Sequence, residues 1–243
     1  MQAPQSPDPR VARIVGAGVL RLALFPSFFY RQDPTGGEPR GVGIEIARAL
    51  ALRIGAALQC TEHTSPPAVV AALAAGAADV ALLGIDPARA TEVDFSPPVL
   101  AADFTYLVRN DSSVRAVADA DRAGTRIALV RHHAMDTALR LNSAERVYVG
   151  TPDAAFDLFR SGAADVLAGI RPGLMMYAAA LPGARVLDDR YGRNVIALAI
   201  RKSEAGWLAT VSAFAAEASA DGTVERAIAT AGLRGVEWPV AEP

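Results

Sequence analysis

Gly-Ala-Ala-Asp-Val occurs twice in this chain, at Gly76–Val80 and Gly162–Val166, 86 positions apart (76 to 162). Each copy follows an apolar segment opened by proline, at Pro66-Pro67 and at Pro152, and runs on into an apolar stretch ending in Ile-x-Pro, as Ile85-Asp86-Pro87 and Ile170-Arg171-Pro172. Proline fits the first turn of a helix and glycine the position just past its end, so each copy reads as helix, glycine stop and Asp-headed strand. The Val/Leu-rich run after it is short enough for a buried strand. The spacing is too long for a solenoid, whose periods are about 20–50 residues. One unit used twice predicts two similar α/β lobes with a cleft between them, where small molecules bind.

The 243 residues suit two domains of ordinary size, and 51% hydrophobic content supplies their cores. No apolar run approaches the roughly 20 residues that span a bilayer. A formal charge of −2 with no basic run argues against nucleic acid. Lys202 is the one lysine, so there is no Walker lysine, and a single cysteine, Cys60, excludes an internal disulfide. Met1–Pro9 is polar and Pro-rich, an arm without the apolar core of a signal peptide.

Along the chain, strands are expected at Leu20–Leu24, Leu58–Glu62, Asp79–Leu83, Phe104–Val108, Ile127–Val130, Arg146–Val149, Asp165–Ala168 and Val195–Ile200. Helices are expected at Val11–Gly18, Val42–Ile54, Pro67–Ala75, near Met135–Leu141, and at Pro152–Ser161, Glu204–Ala220 and Val224–Ala231. Phe25–Arg40 reads as a loop with four aromatics and a turn at Asp33-Pro34-Thr35-Gly36-Gly37. Strands alternating with helices predict a mainly parallel sheet in each half. The expected division is an arm at 1–9, a first lobe of 10–108 plus 193–243, and a second lobe of 109–192.

Catalytic motifs are missing: Gly-x-Ser-x-Gly, His-Glu-x-x-His, Cys-x-x-Cys and the P-loop are all absent. Gly41-Val42-Gly43 begins like a dinucleotide fingerprint, but Ile46 holds the third glycine position. His132 and His133 are adjacent on a loop and His63 is remote in sequence, so no metal is expected, and no cofactor is implied. The segment from Gly84 to Pro98 comes after the first repeated strand and so lies where open α/β sheets place ligands. A strand ending at Gly84 presents free backbone N–H groups, and Arg89 beside them would receive a carboxylate. A surface ion pair of Arg89 with Glu92 or Asp94 is the equally simple alternative.

Leu20–Trp238 resembles the family-3 solute-binding proteins of amino-acid ABC transporters. The motifs are Val19-Leu20-Arg21-Leu22-Ala23 with Pro26, Gly43-Ile44-Glu45-Ile46-Ala47, Gly76-x-x-Asp79-Val80, Arg89 with Val93-Asp94-Phe95-Ser96-x-Pro98, and Arg126-Ile127-Ala128-Leu129-Val130. Asp153-Ala154 leading into Gly162-x-x-Asp165-Val166, then Tyr191-Gly192, Arg201-Lys202 and Asp221-Gly222 complete the order. The resemblance implies a two-lobed, periplasmic-binding-protein-like clamshell whose lobes are joined by two crossing strands and trap a ligand by hinge closure. It assigns Arg89 to a ligand carboxylate, assisted by the backbone of Gly84, Ile85 and Asp86, and Phe28 to packing over the ligand.

The chain departs from that pattern in its second half. His132-His133 stands where the family has Gly-Thr or Gly-Ser, and Ile170, next to Arg171, stands where amino-acid binders carry the Asp that holds the ligand ammonium. A buried ammonium without a counter-charge is costly. The expected ligand therefore lacks an ordinary α-amino group or holds it differently, and Phe25, Phe28, Phe29 and Tyr30 with Arg89, Arg171 and the histidines suit a carboxylate bearing a ring or second acid. Arg131 and Tyr191 complete the candidate wall. Arg131 and Arg171 facing solvent, with Phe25 and Phe29 in the core, is the competing reading.

Together these residues and the resemblance imply a non-enzymatic, periplasmic, monomeric binding protein that delivers a small organic anion to an ABC transporter permease. Cyclohexadienyl dehydratases are similar to these proteins, but such an enzyme needs a proton-donating acid in the cleft. A detached sensor domain is the other rival.

Overall fold

The computed structural model describes residues 9–30, 39–131 and 134–238. The expected turn at Asp33–Gly37 and the pair His132-His133 lie outside them. The helices are α1 (Pro9–Ala17), α2 (Val42–Ile54), α3 (Pro66–Ala74), α4 (Ala134–Ala138), α5 (Pro152–Ser161), α6 (Arg171–Ala180), α7 (Ala205–Ala220) and α8 (Thr223–Thr230). The strands are β1 (Val19–Leu24), β2 (Ala57–Glu62), β3 (Val80–Gly84), β4 (Val93–Arg109), β5 (Arg126–Val130), β6 (Glu145–Val149), β7 (Val166–Ile170), β8 (Ala184–Val186), β9 (Gly192–Arg201) and β10 (Val236–Glu237). The fold is mixed α/β, with sheet flanked by helices.

The chain divides into two units. Unit 1 runs to Leu100 and resumes at Val195–Leu233, with Trp238 onward. Unit 2 is Ala101–Asn194 with Arg234–Glu237. The long strand β4 and the strand β9 carry the chain between them.

In unit 1 the strand order is β2-β1-β3-β9, with β1 parallel to both β2 and β3 and β9 antiparallel to β3. In unit 2 it is β4-β7-β5-β6, with β5 parallel to β6 and β7, and β4 antiparallel to β7. The β8 and β10 strands add antiparallel pairs to β4. One face of the unit 1 sheet packs Ala23, Ala81 and Leu83 against Val69, Val70 and Leu73 of α3. In unit 2, Leu107, Ala128 and Leu167 pack against Ala155 and Phe159 of α5. Full burial of each such large side chain contributes about 1.5–3 kcal/mol.

The duplicated pentapeptide reappears as duplicated geometry, one copy in each unit. Ser65 Oγ accepts from Ala68 N–H at the start of α3, and Thr151 Oγ1 from Ala154 N–H at the start of α5. Both helices are followed by a left-handed glycine, Gly76 at φ 72° and Gly162 at φ 80°, a conformation that costs a side-chain-bearing residue energy. The repeated aspartate then clasps the arginine at the head of the neighbouring strand. Asp79 accepts from Arg21 backbone N–H (2.8 Å), Nε (3.0 Å) and Nη2 (2.7 Å). Asp165 accepts from the same three groups of Arg126 at 2.9, 3.1 and 2.8 Å. Each aspartate returns its own N–H to that arginine's carbonyl at 2.9 Å.

The copies differ in depth. Asp79 has a side chain only 2% exposed and also receives Arg10 of α1 at 2.7 Å, while Asp165 is 44% exposed. The Arg126 guanidinium holds the Asp165 carboxyl below its usual range. The repeated aspartate is thus a strand-to-strand clasp and does not serve the site.

Candidate functional site

Ligands of open parallel sheets lie at the carboxyl ends of the strands. In unit 1 that edge is made by the segment after β3, the turn after β1 and the end of β2.

After Gly84 the chain turns through an aspartate-directed loop. Asp86 Oδ1 accepts from the N–H groups of Ala88 (2.8 Å) and Arg89 (3.3 Å), opening a single 3₁₀ turn at Arg89–Thr91. That turn aims the Arg89 side chain back along the strand, where Nη1 donates to Gly84 O at 2.9 Å. Neither expected acid pairs with Arg89: Asp94 is engaged by Lys202 at 2.9 Å and by Ser203 N–H at 2.8 Å. The guanidinium is half-buried and anchored at one nitrogen, and Nε and Nη2 have no partner among the described residues. One expectation needs correction. Ile85 does not present a free amide, because its N–H donates to Val195 O at 2.7 Å, extending the β3–β9 ladder one residue past Gly84. Its side chain is 41% exposed.

The aromatic segment forms a tight turn in which Ser27 and Tyr30 exchange backbone hydrogen bonds at 3.4 and 3.2 Å. Phe28 is half-buried at its tip. Phe25 packs on the α3 core face, and Phe29 shares a small hollow with Leu24, Tyr30 and Leu82. Tyr30 is buried, and its hydroxyl donates to Glu62 Oε2 at 2.5 Å. Burial and then the Glu62 carboxylate push the Tyr30 phenol up to about 12.

The second-half candidates are placed differently. Ile170 closes β7, is 7% exposed and faces Phe104 across the β4 ladder. Arg171 opens α6 with its guanidinium committed to unit 2 itself. Nη1 donates to Leu187 O (2.8 Å), and Nη2 to Asp188 O (2.9 Å), Asp189 O (3.2 Å) and Asp103 Oδ2 (3.2 Å). The expected solvent- or ligand-facing Arg171 is instead a strut, because the carbonyls after β8 converge on it. Arg131 is exposed, and its guanidinium lies 4.2 Å from the Tyr148 ring centroid. Tyr191 stacks beside Phe104 (ring centroids 6.1 Å apart) and lies tilted against Tyr106 (5.0 Å), and burial raises its phenol well above the ordinary value.

Sequence reasoning missed Glu62. It ends a predicted strand, and the rule that placed Arg89 at a strand's carboxyl end points equally to it. No group of three or more His, Cys, Asp or Glu suited to a metal ion occurs among the described residues, nor does a helix long and apolar enough to cross a membrane. A hollow of about 470 Å³ is lined by Pro39, Ile44, Arg48, Leu52, Leu58 and Cys60, on the flank of α2 and β2, and includes none of the candidate residues.

The family model of bacterial extracellular solute-binding proteins, family 3, matches residues 21–231. No curated protein matches the chain. Among solved structures, an ancestral amino acid-binding protein described as a precursor of cyclohexadienyl dehydratase is 25% identical, with TM-score 0.75 over 90% of this chain and 97% of its own. A putative ABC-transporter binding component from Wolinella succinogenes, complexed with lysine, is 21% identical with TM-score 0.78, covering 87% and 94%. A histidine kinase sensor domain with similarity to periplasmic binding proteins is 22% identical with TM-score 0.73, covering 91% and 98%. With a family match spanning nearly the whole folded chain, and with solved members of the same architecture, the chain belongs to the bacterial extracellular solute-binding proteins, family 3.

Proposed function

We propose that this protein is a non-enzymatic, periplasmic solute-binding protein that takes a small carboxylate-bearing solute and delivers it, as a monomer, to an ABC importer. The observation that carries this reading is Arg89. Its guanidinium is pinned by Gly84 O at the carboxyl end of β3, and Nε and Nη2 have no partner among the described residues. Those two nitrogens match the two-point geometry of a carboxylate. Both terminal nitrogens of Arg171 are engaged, Nη1 by Leu187 O and Nη2 by Asp188 O, Asp189 O and Asp103, so it offers no second two-point anion contact. Phe28 offers apolar cover from the neighbouring turn, and Asp86 shapes the loop that positions Arg89.

A thermal-shift screen of small carboxylates beside their uncharged amides tests the reading. Carboxylates should raise the melting temperature and the matched amides should not, and Arg89→Ala should abolish the difference. Equal stabilisation by acid and amide would overturn the anchor.

A further inference from the structure

Glu62 closes β2 opposite Leu24 of β1. The β1–β3 register, Leu22 with Val80 and Ala23 with Ala81, brings Leu82 to that same level. Glu62 and Arg89 therefore share one edge of the unit 1 sheet, an acid and a base with a strand between them. Neighbouring strands are about 4.8 Å apart and each residue advances about 3.3 Å, which puts the Glu62 and Gly84 backbones roughly 12 Å from each other. The Glu62 carboxylate is held by the buried Tyr30 hydroxyl through Oε2, and Oε1 has no partner among the described residues. Anchored at one atom and open at the other, it repeats the arrangement of Arg89. The other acid of this edge, Asp86, is in use in its own turn.

We propose that Glu62, positioned by Tyr30, receives a cationic amine of the solute whose carboxylate Arg89 holds; this rests on the Arg89 reading above. Poles carried on backbones that far apart leave room for more than the single carbon between ammonium and carboxylate in an α-amino acid. The solute class is an amino carboxylate whose charged groups are separated by several bonds.

Calorimetry with 5-aminopentanoate and 6-aminohexanoate beside pentanoate and hexanoate tests this. A charge-assisted hydrogen bond to Glu62 should favour the amino acids by about tenfold or more in the wild type. Glu62→Gln should bring the ratio close to one. Tyr30→Phe, which frees the carboxylate without removing it, should reduce the ratio only in part. Arg89→Ala should weaken every ligand and keep the ratio. The proposal is overturned if wild type does not discriminate, if no amino carboxylate binds, or if Glu62→Gln lowers stability but keeps the preference. Arg89→Ala that binds pentanoate like wild type refutes the Arg89 anchor instead, and leaves the Glu62 ratio to be judged separately.

Discussion

Asp79 and Asp165 occupy the same place in the repeated pentapeptide and make the same three bonds to an arginine, yet their removal should cost very different amounts. Asp79→Ala removes the closer of two counter-charges from Arg10, whose side chain is 9% exposed and keeps Glu204 at 3.4 Å, and strips the counter-charge from Arg21, which is 37% exposed. Breaking a buried pair by deleting one partner costs about 3–5 kcal/mol, because the surviving charge stays desolvated. The Asp79 backbone also supports the fully buried Trp207, whose Nε1–H donates to Asp79 O at 2.9 Å, so the disturbance spreads into α7. Asp165→Ala removes a pair exposed by 44% and 39%, which water solvates in its place. Such exposed pairs contribute at most about 1 kcal/mol. For a chain of this size each kcal/mol moves the melting temperature by about 2–4 °C. Asp79→Ala should therefore lower it by roughly 6–20 °C, and Asp165→Ala by a few degrees. Melts followed by circular dichroism, on both single variants, make the comparison. Equal losses would refute the claim that depth, and not the shared geometry, sets the energy of the clasp.

Arg89→Ala should weaken carboxylate binding by about 30- to 150-fold, corresponding to about 2–3 kcal/mol for a half-buried arginine, and Arg89→Lys should recover only part, as calorimetry would show. Asp121 accepts backbone N–H groups from Ala144, Ser143 and Asn142, which hold its carboxyl at about 2 against an ordinary 3.8. Its stabilisation is present above the unfolded value and lost as pH falls through the folded one, so the gap between wild type and Asp121→Asn should be full at neutral pH and close between about pH 4 and pH 2 in urea titrations. If solute binding draws the two units together by a hinge, X-ray scattering should report a smaller radius of gyration when a binding carboxylate is added, and tight binding without compaction would exclude that motion.

Most of the elements were readable because their punctuation is local. Pro66 and Pro152 open helices, Gly76 and Gly162 end them, and Val/Leu runs come next as buried strands. The ends of β4 and β9 were not readable: Pro97 and Pro98 look like breakers, and β4 runs through them all the same. The helix α6 was missed because Arg171-Pro172-Gly173 resembles a turn, whereas proline sits comfortably in a first helical turn. At the site, Arg89 was legible from its position after a strand, but the partners of Arg171 were not. They are carbonyls of Leu187, Asp188 and Asp189, which no side-chain pattern records. Glu62 was overlooked because its significance lies in a tyrosine 32 residues away.

Native mass spectrometry of the purified protein mixed with carboxylates that raise its melting temperature tests binding at Arg89 most directly. Expected is a one-to-one, non-covalent adduct with wild type that dissociates to release the carboxylate with its mass unchanged, and that is lost or strongly depleted in a folded Arg89→Ala variant. An adduct equally abundant in Arg89→Ala would place the site elsewhere. A carboxylate returned at a different mass would mean chemistry and not carriage.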